Sequence, residues 1–212
     1  RFLIVQPEID ARRIGLIGHS EGGIVAPMVA AESDDVAFIV LLAGSALPGS
    51  ALMLMQLAAI QRSMGRPEDN VEQQIQVQRR LLELAGEGAG LPALTDLVVE
   101  LNRIQISNLP EEQRPSTEEL EPVIEAQARQ LIAPWWRFFL TFDPRTALRQ
   151  VRCPVLAING SLDTQVPPGP NLGAIRDALA EAGNDDVTVE ELAGLNHLFQ
   201  TATTGRPAEY AV

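Results

Sequence analysis

The sequence predicts an α/β fold, in which a mostly parallel β-sheet is covered by helices and interrupted by a long helical insertion. Short apolar runs alternate with helical segments near both ends of the chain, which is the pattern of a parallel sheet. The long segment between these two regions has helical periodicity and no clear strand. The composition, 46% hydrophobic and 21% charged, is typical of a globular domain.

Three apolar runs predict buried strands, at residues 14–18, 36–42 and 155–159, and a segment with partial alternation predicts a fourth strand at residues 187–192. Small residues over 21–31 predict a helix directly after the first strand. A second helix, predicted over residues 171–182, follows the third strand and ends at Gly183. Residues 1–6 are interpreted as the end of a further helix.

The insertion between the second and third strands predicts a helical cap. Its helical stretches cover residues 51–64, 68–84, 94–106 and 117–132. Ser116 and Glu119 form the sequence pattern of a capping box at the start of the last stretch. We therefore expect a core of residues 1–48 and 144–212, with a cap of residues 49–143 over one edge of the sheet. The alternative is a separate helical domain that interrupts the core without covering it.

Charge and composition argue against several classes of function. The net charge is −12 and every basic residue is Arg, so the chain lacks the basic footprint that nucleic acids and anionic membranes require. Residues 36–60 carry no charge and are long enough to span a bilayer, but Gly44, Pro48 and Gly49 interrupt them. With no signal-peptide pattern at the N-terminus, we expect a cytoplasmic location.

The sequence offers few ligands for a metal and no intrachain disulfide. It contains two histidines and a single cysteine, Cys153, and no HExxH or CxxC pattern. We therefore expect neither a metal nor another cofactor. Cys153 precedes an apolar run, where a structural thiol is the expected interpretation.

A serine motif lies where the first predicted strand meets the first predicted helix. The motif is Gly18-His19-Ser20-Glu21-Gly22, a G-x-S-x-G pattern in the strand–turn–helix setting that this pattern requires. Small residues at Gly18 and Gly22 are expected to let the backbone approach closely, so that Ser20 projects from the sheet. The helix N-terminus would offer N–H groups to developing negative charge. The alternative is a glycine-rich turn with an ordinary capping serine.

A nucleophilic serine needs a base and an acid that orients it. His197 follows the fourth strand, at the carboxyl edge that also carries Ser20, whereas His19 adjoins the serine and is expected to point away. Asp163 follows the third strand and is the preferred acid, with Asp143 as the alternative. Asp185 and Asp186 precede their strand, so we expect them at the opposite edge of the sheet. They are therefore not candidates for the acid, and Asp163 remains the preferred one.

These residues resemble the α/β-hydrolase family, whose nucleophile, acid and base follow one another in this order. The stretch from Gly18 to Gly23 and the stretch from Asn159 to Pro167 are similar to bacterial esterases and related serine peptidases. The resemblance implies that the backbone N–H of Glu21 contributes to the oxyanion hole. It also implies that the first strands of the family sheet, with the second oxyanion donor, lie outside this chain.

The resemblance implies hydrolysis of a small-molecule carboxylic ester with a short acyl chain, through an acyl-enzyme on Ser20 and without a cofactor. A serine aminopeptidase is the nearest alternative, and a non-catalytic ligand-binding member of the fold is the remote one. We expect Ser20 Oγ about 3 Å from His197 Nε2, with His197 Nδ1 facing Asp163.

An aromatic cluster near the end of the cap has two interpretations. It contains Trp135, Trp136, Phe138, Phe139 and Phe142. These side chains could line an acyl pocket under the cap, or they could form the packed core of the cap itself. The candidate pocket residues are His19, Trp135, Trp136 and Phe139.

Overall fold

The computed structural model describes residues 2–211. These residues form two compact units, one made of residues 2–47 and 143–211 and the other of Pro48–Phe142. We call them the sheet unit and the helical unit. Their boundaries fall next to those expected from the sequence.

The sheet unit is built on four parallel strands in the order β1-β2-β3-β4. The strands are β1 (Gly15–His19), β2 (Phe38–Leu42), β3 (Val155–Gly160) and β4 (Val187–Leu192). Side chains of the two central strands form the middle of the core, where Ile39 and Leu41 are each 1% exposed and Ala157 is fully buried. The α/β fold with a parallel sheet is therefore confirmed.

In the described part of the sheet unit there are three α-helices: α1 (Gly22–Glu32), α7 (Arg145–Leu148) and α8 (Pro168–Glu181). The core beside the sheet includes Leu148 as well as Leu172, Ile175 and Leu179 from α8. These are apolar side chains at helical spacing, so one face of α8 is buried against the strands.

The first residues differ from the sequence prediction. Instead of the end of an α-helix, Leu3–Val5 form a single 3₁₀ turn. Gln6 then has the extended backbone conformation, with φ −82° and ψ 126°. Pro7 follows Gln6, and a residue before proline is disfavoured in the helical region, which explains why no α-helix continues here.

The helical unit contains five helices: α2 (Gly49–Ser63), α3 (Glu68–Glu87), α4 (Leu91–Ser107), α5 (Thr117–Leu131) and α6 (Pro134–Thr141). The first four correspond to the four predicted stretches. Helix α6 begins at proline, whose fixed φ suits the first helical position. Apolar side chains from these helices share a separate core, which includes Leu82, Leu94 and Leu140.

The predicted capping box is present at the start of α5. Ser116 Oγ accepts from the Glu119 backbone N–H, and the Glu119 carboxylate accepts from the Ser116 N–H at 2.8 Å. This backbone donor lowers the pKa of Glu119 below its usual range. The reciprocal bonds satisfy two N–H groups that the first turn of a helix leaves without partners.

The uncharged stretch of residues 36–60 folds as strand β2 followed by helix α2, with a loop between them. Of the helices in the described part of the chain, none combines the length and the apolar character needed to cross a bilayer.

Candidate active site

The carboxyl ends of three strands carry the predicted site residues. Ser20 directly follows β1, Asp163 comes three positions after the last residue of β3, and His197 lies in the loop after β4. All the strands are parallel, so these ends meet at one edge of the sheet, where α/β proteins hold their ligands.

Ser20 occupies a tight turn between β1 and α1 and has a φ of 55°. Residues other than glycine rarely adopt this left-handed backbone conformation, and backbone strain of this kind is concentrated at functional sites. Hydrogen bonds hold the turn on both sides: Ser20 N–H donates to Leu42 O at 2.8 Å, and Gly23 N–H donates to Ser20 O at 2.9 Å. The serine is thus fixed at the start of the helix.

Close packing at Gly18 and Gly23 shapes this turn, whereas Gly22 does not have the steric role that the sequence analysis expected. A Cβ on Gly18 would lie 2.0 Å from Gly22 O, and a Cβ on Gly23 would lie 2.5 Å from the Cα of Gly44. Gly22, by contrast, has nothing within 4 Å of its Cβ position. The expectation that Gly22 must itself be small for steric reasons is therefore wrong, because it is the crowding at Gly18 and Gly23 that requires glycine.

We expect Gly18→Ala to destabilise the sheet unit by at least about 2 kcal/mol, because the added methyl group meets backbone atoms that cannot rotate away. The matched Gly22→Ala should change stability by less than about 1 kcal/mol, since alanine favours the helical conformation at an uncrowded position. Urea denaturation of both variants measures the difference. Equal destabilisation by the two variants would contradict the steric explanation.

Asp163 and His197 form a buried pair. Asp163 Oδ2 lies 2.8 Å from His197 Nδ1, and the side chains are 0% and 6% exposed respectively. The other carboxylate oxygen, Oδ1, accepts from the backbone N–H groups of Gln165 and Val166, each at 2.8 Å. Both oxygens of the buried carboxylate are therefore satisfied, and the histidine is oriented through Nδ1.

The loop that carries His197 is held by its neighbours. Asn196 is fully buried, and its Oδ1 accepts from Leu198 N–H at 3.0 Å and Gln200 N–H at 3.1 Å. A Cβ on Gly160 would lie 2.2 Å from Leu195 O, so the end of β3 and this loop are in close contact. Packing and hydrogen bonds thus limit the positions that His197 can adopt.

His19 contacts His197, which the sequence analysis did not foresee. The Nε2 atom of His19 lies 2.9 Å from His197 O, and the two ring centroids are 4.8 Å apart. His19, one of the candidate pocket residues, is exposed. The parallel direction of the strands places the end of β1 and the loop after β4 at one edge of the sheet, but sequence patterns do not give the distance between His19 and His197.

The expected hydrogen bond between Ser20 Oγ and His197 Nε2 is not present among the residues described. Ser20 is the chain neighbour of His19, whose ring lies beside the His197 ring. Rotation about χ1 moves a serine hydroxyl between staggered positions, and hydrogen bonds of this kind are often long in the absence of substrate. The structure therefore brings His197 into contact with both Asp163 and His19, and Ser20 directly follows His19 in the chain.

The alternative acids have other positions. Asp143 pairs with Arg145, with Oδ2 at 2.7 Å from Nη2, and this side-chain hydrogen bond lowers the pKa of Asp143. Asp185 and Asp186 lie before β4, at its amino end. Of the candidates, Asp163 is the one that is hydrogen-bonded to His197.

Glu21 is the residue that precedes α1. At such a position the backbone N–H has no partner within the helix. This is the place from which an N–H group can point at a developing oxyanion.

The aromatic candidates belong to the helical unit. Trp136 and Phe139 pack against its core, with their rings 5.5 Å apart in an edge-to-face arrangement. Trp135 is 43% exposed and lies 5.6 Å from Phe138. These contacts account for the partial burial of Trp136 and Phe139.

Among residues 2–211, no three His, Cys, Asp or Glu side chains come together in a group that could hold a metal ion. Cys153 is partly buried, and burial raises the pKa of its thiol, which reduces its thiolate fraction.

Comparison with known proteins identifies the family. The chain is similar to several solved structures, among them esterase E22 (16% identity, 93% of this chain and 58% of that one, TM-score 0.45). Others are VinJ (16% identity, 88% and 60%, TM-score 0.45) and the proline iminopeptidase of Mycobacterium smegmatis (18% identity, 88% and 59%, TM-score 0.43).

The chain thus spans about three-fifths of the length of these structures. A search of curated proteins finds no match. The model of the alpha/beta hydrolase family matches residues 2–211, and the chain therefore belongs to the α/β-hydrolase family.

Proposed function

We propose that this protein is a serine hydrolase that cleaves carboxylic esters with short acyl chains through an acyl-enzyme on Ser20. The observation that carries the proposal is the buried Asp163–His197 pair, with Nδ1 and Oδ2 2.8 Å apart, at the sheet edge where Ser20 occupies a strained turn. Burial of the Asp163 carboxylate at 0% exposure beside a histidine that is 6% exposed costs desolvation free energy, and orienting a general base is a chemical use for this pair.

The chemistry follows from the tautomer of His197. With the Asp163 carboxylate as acceptor, Nδ1 carries the proton and Nε2 keeps its lone pair. Nε2 can then take the proton of Ser20 Oγ as the oxygen attacks the acyl carbonyl. The imidazolium returns that proton to the leaving alcohol, and in the second half-reaction the same nitrogen activates water to release the acid.

The tetrahedral intermediate carries negative charge on the former carbonyl oxygen. In this proposal the backbone N–H of Glu21, at the start of α1, is one donor to that oxygen. The positive end of the α1 helix dipole acts in the same direction. Neither contribution requires a cofactor.

His19, Trp135, Trp136 and Phe139 are proposed to contribute to substrate binding. Trp135 is the most exposed of the three Trp and Phe side chains in this group, at 43%, which leaves its ring available to an acyl chain. Trp136 and Phe139 contact the core of the helical unit. A series of nitrophenyl esters of increasing acyl length, measured with Trp135→Ala, tests this part of the proposal.

The activity is tested on the whole protein with two measurements. A fluorophosphonate probe should label Ser20, identified by mass spectrometry of the labelled peptide. A panel of nitrophenyl esters and aminoacyl anilides should then give kcat/KM values at least about a hundredfold higher for the short esters.

Absence of labelling at Ser20 would overturn the serine mechanism altogether. Labelling together with a preference for aminoacyl anilides would instead identify a serine peptidase with the same catalytic residues. Labelling of Ser20 without turnover of either substrate class would contradict the proposed ester hydrolysis.

A further inference from the structure

The helical unit contains a partly open cavity of about 240 Å³. All five helices contribute to its wall, from Met53 on α2 to Trp136 on α6. At about 30 Å³ for each molecule of liquid water, the space equals roughly eight waters. It is large enough for a small organic ligand.

Carboxamides dominate the polar part of the cavity wall. They come from three helices and are Gln78, Asn102, Gln105, Gln127 and Gln130. The rest of the wall is apolar, with leucines from α3, α4 and α5 in addition to Met53 and Trp136. No charged side chain lines the cavity, although 21% of the residues in the chain are charged.

Gln78 is the most informative of the five amides. It is 8% exposed, yet within residues 2–211 its side chain has no hydrogen-bond partner. In the described residues, the buried side-chain atoms that lack a hydrogen-bond partner are Arg66 Nε and Gln74 Oε1; the amide atoms of Gln78 are not among them, so they are not sealed in the protein interior. Because Gln78 is part of the cavity wall, its amide is open to the cavity, where water or a ligand can supply the hydrogen bonds that the protein does not.

Asn102 adds an acceptor to this site. Its Nδ2 donates to Val98 O at 2.8 Å and to Gln127 Oε1 at 2.9 Å. These two bonds use both N–H groups of the amide and fix its orientation. The remaining oxygen, Oδ1, is thus an available acceptor on a residue of the cavity wall, while the Gln78 amide offers both a donor and an acceptor.

We propose that this cavity is a binding site for a small neutral ligand that carries an amide or a similar donor–acceptor group on an aliphatic body. The carboxamide of Gln78 would pair with both functions of such a group, and the leucine walls would contact the aliphatic part. A charged ligand would find no counter-ion in the wall and would lose its hydration. The proposal concerns the helical unit alone and does not rest on the role of Ser20.

Ligand-observed NMR of the whole protein with hexanamide as the probe tests the site. We expect saturable binding with a Kd on the order of 1 mM for a probe of this size. Hexanoate and hexylammonium, which have the same chain length and a charge, should bind at least about tenfold more weakly.

Two variants locate the probe. Gln78→Leu keeps a side chain of similar size and removes the unpaired amide, so it should weaken hexanamide binding about tenfold. Gln76→Leu, at an exposed position of the same helix, is the matched control and should change the Kd less than about twofold. Should Gln78→Leu fail to fold, Gln105→Leu, at an exposed position of the cavity rim, replaces it, with an expected loss of about threefold.

Several results would overturn the proposal: binding of hexanamide that does not saturate, equal affinity for hexanoate, or equal Kd values for the variants at positions 78 and 76. The first would mean that the cavity holds water only. Since none of these measurements uses ester turnover, their outcome is separate from that of the proposed hydrolase activity.

Discussion

Replacement of Ser20 by alanine should reduce kcat for ester hydrolysis by on the order of a millionfold. In the proposed mechanism Ser20 Oγ forms the covalent intermediate, and no other hydroxyl can take its place at the turn between β1 and α1. The fold should be retained, because the hydrogen bonds that hold this turn use the backbone N–H and C=O of Ser20. Initial rates with a short nitrophenyl ester, together with circular dichroism, measure the two effects.

Ser33→Ala is the matched control for this experiment. Ser33 lies at the other end of α1 and its hydroxyl accepts from Asp35 N–H at an exposed position. Its replacement should leave kcat within about twofold. Activity of Ser20→Ala within tenfold of the unmodified protein would refute the assignment of the nucleophile.

Sequence patterns predicted the parts of this molecule that depend on local chemistry and on chain direction. Strand β4 has the predicted ends, because the partly alternating segment that forms it is preceded by polar residues and followed by small ones. The Asp163–His197 contact followed from a topological argument, since loops after parallel strands meet at one edge. No measured distance was needed for that step.

The remaining features depend on how side chains pack in three dimensions. The contact between His19 and His197 O requires a particular separation of two loops, and hydrophobic periodicity does not encode it. The freedom of Gly22 was missed for a similar reason, because the crowding in the turn occurs at Gly18 and Gly23. The sequence does not distinguish Gln78 from the other polar residues of an amphipathic helix, because the cavity that it lines forms only where the five helices pack together.

The choice between Asp163 and Asp143 as the orienting acid leads to the second large expected effect. Asp163→Asn should reduce kcat about ten-thousandfold. In the structure, Asp163 Oδ1 accepts from two backbone N–H groups, which would bind the carbonyl oxygen of the new asparagine. Its NH₂ group would then occupy the place of Oδ2, 2.8 Å from His197 Nδ1.

An NH₂ group donates, so Nδ1 of His197 would have to accept and the neutral ring would carry its proton on Nε2. That tautomer cannot take a proton from Ser20. Asp143→Asn is the control, because Asp143 bonds to Arg145, and its replacement should change kcat less than about threefold. Values of kcat and kcat/KM for both variants and the unmodified protein, measured as a function of pH, give the two losses to be compared. A larger loss for Asp143→Asn would mean that Asp143 orients the base and that the 2.8 Å contact of Asp163 is structural.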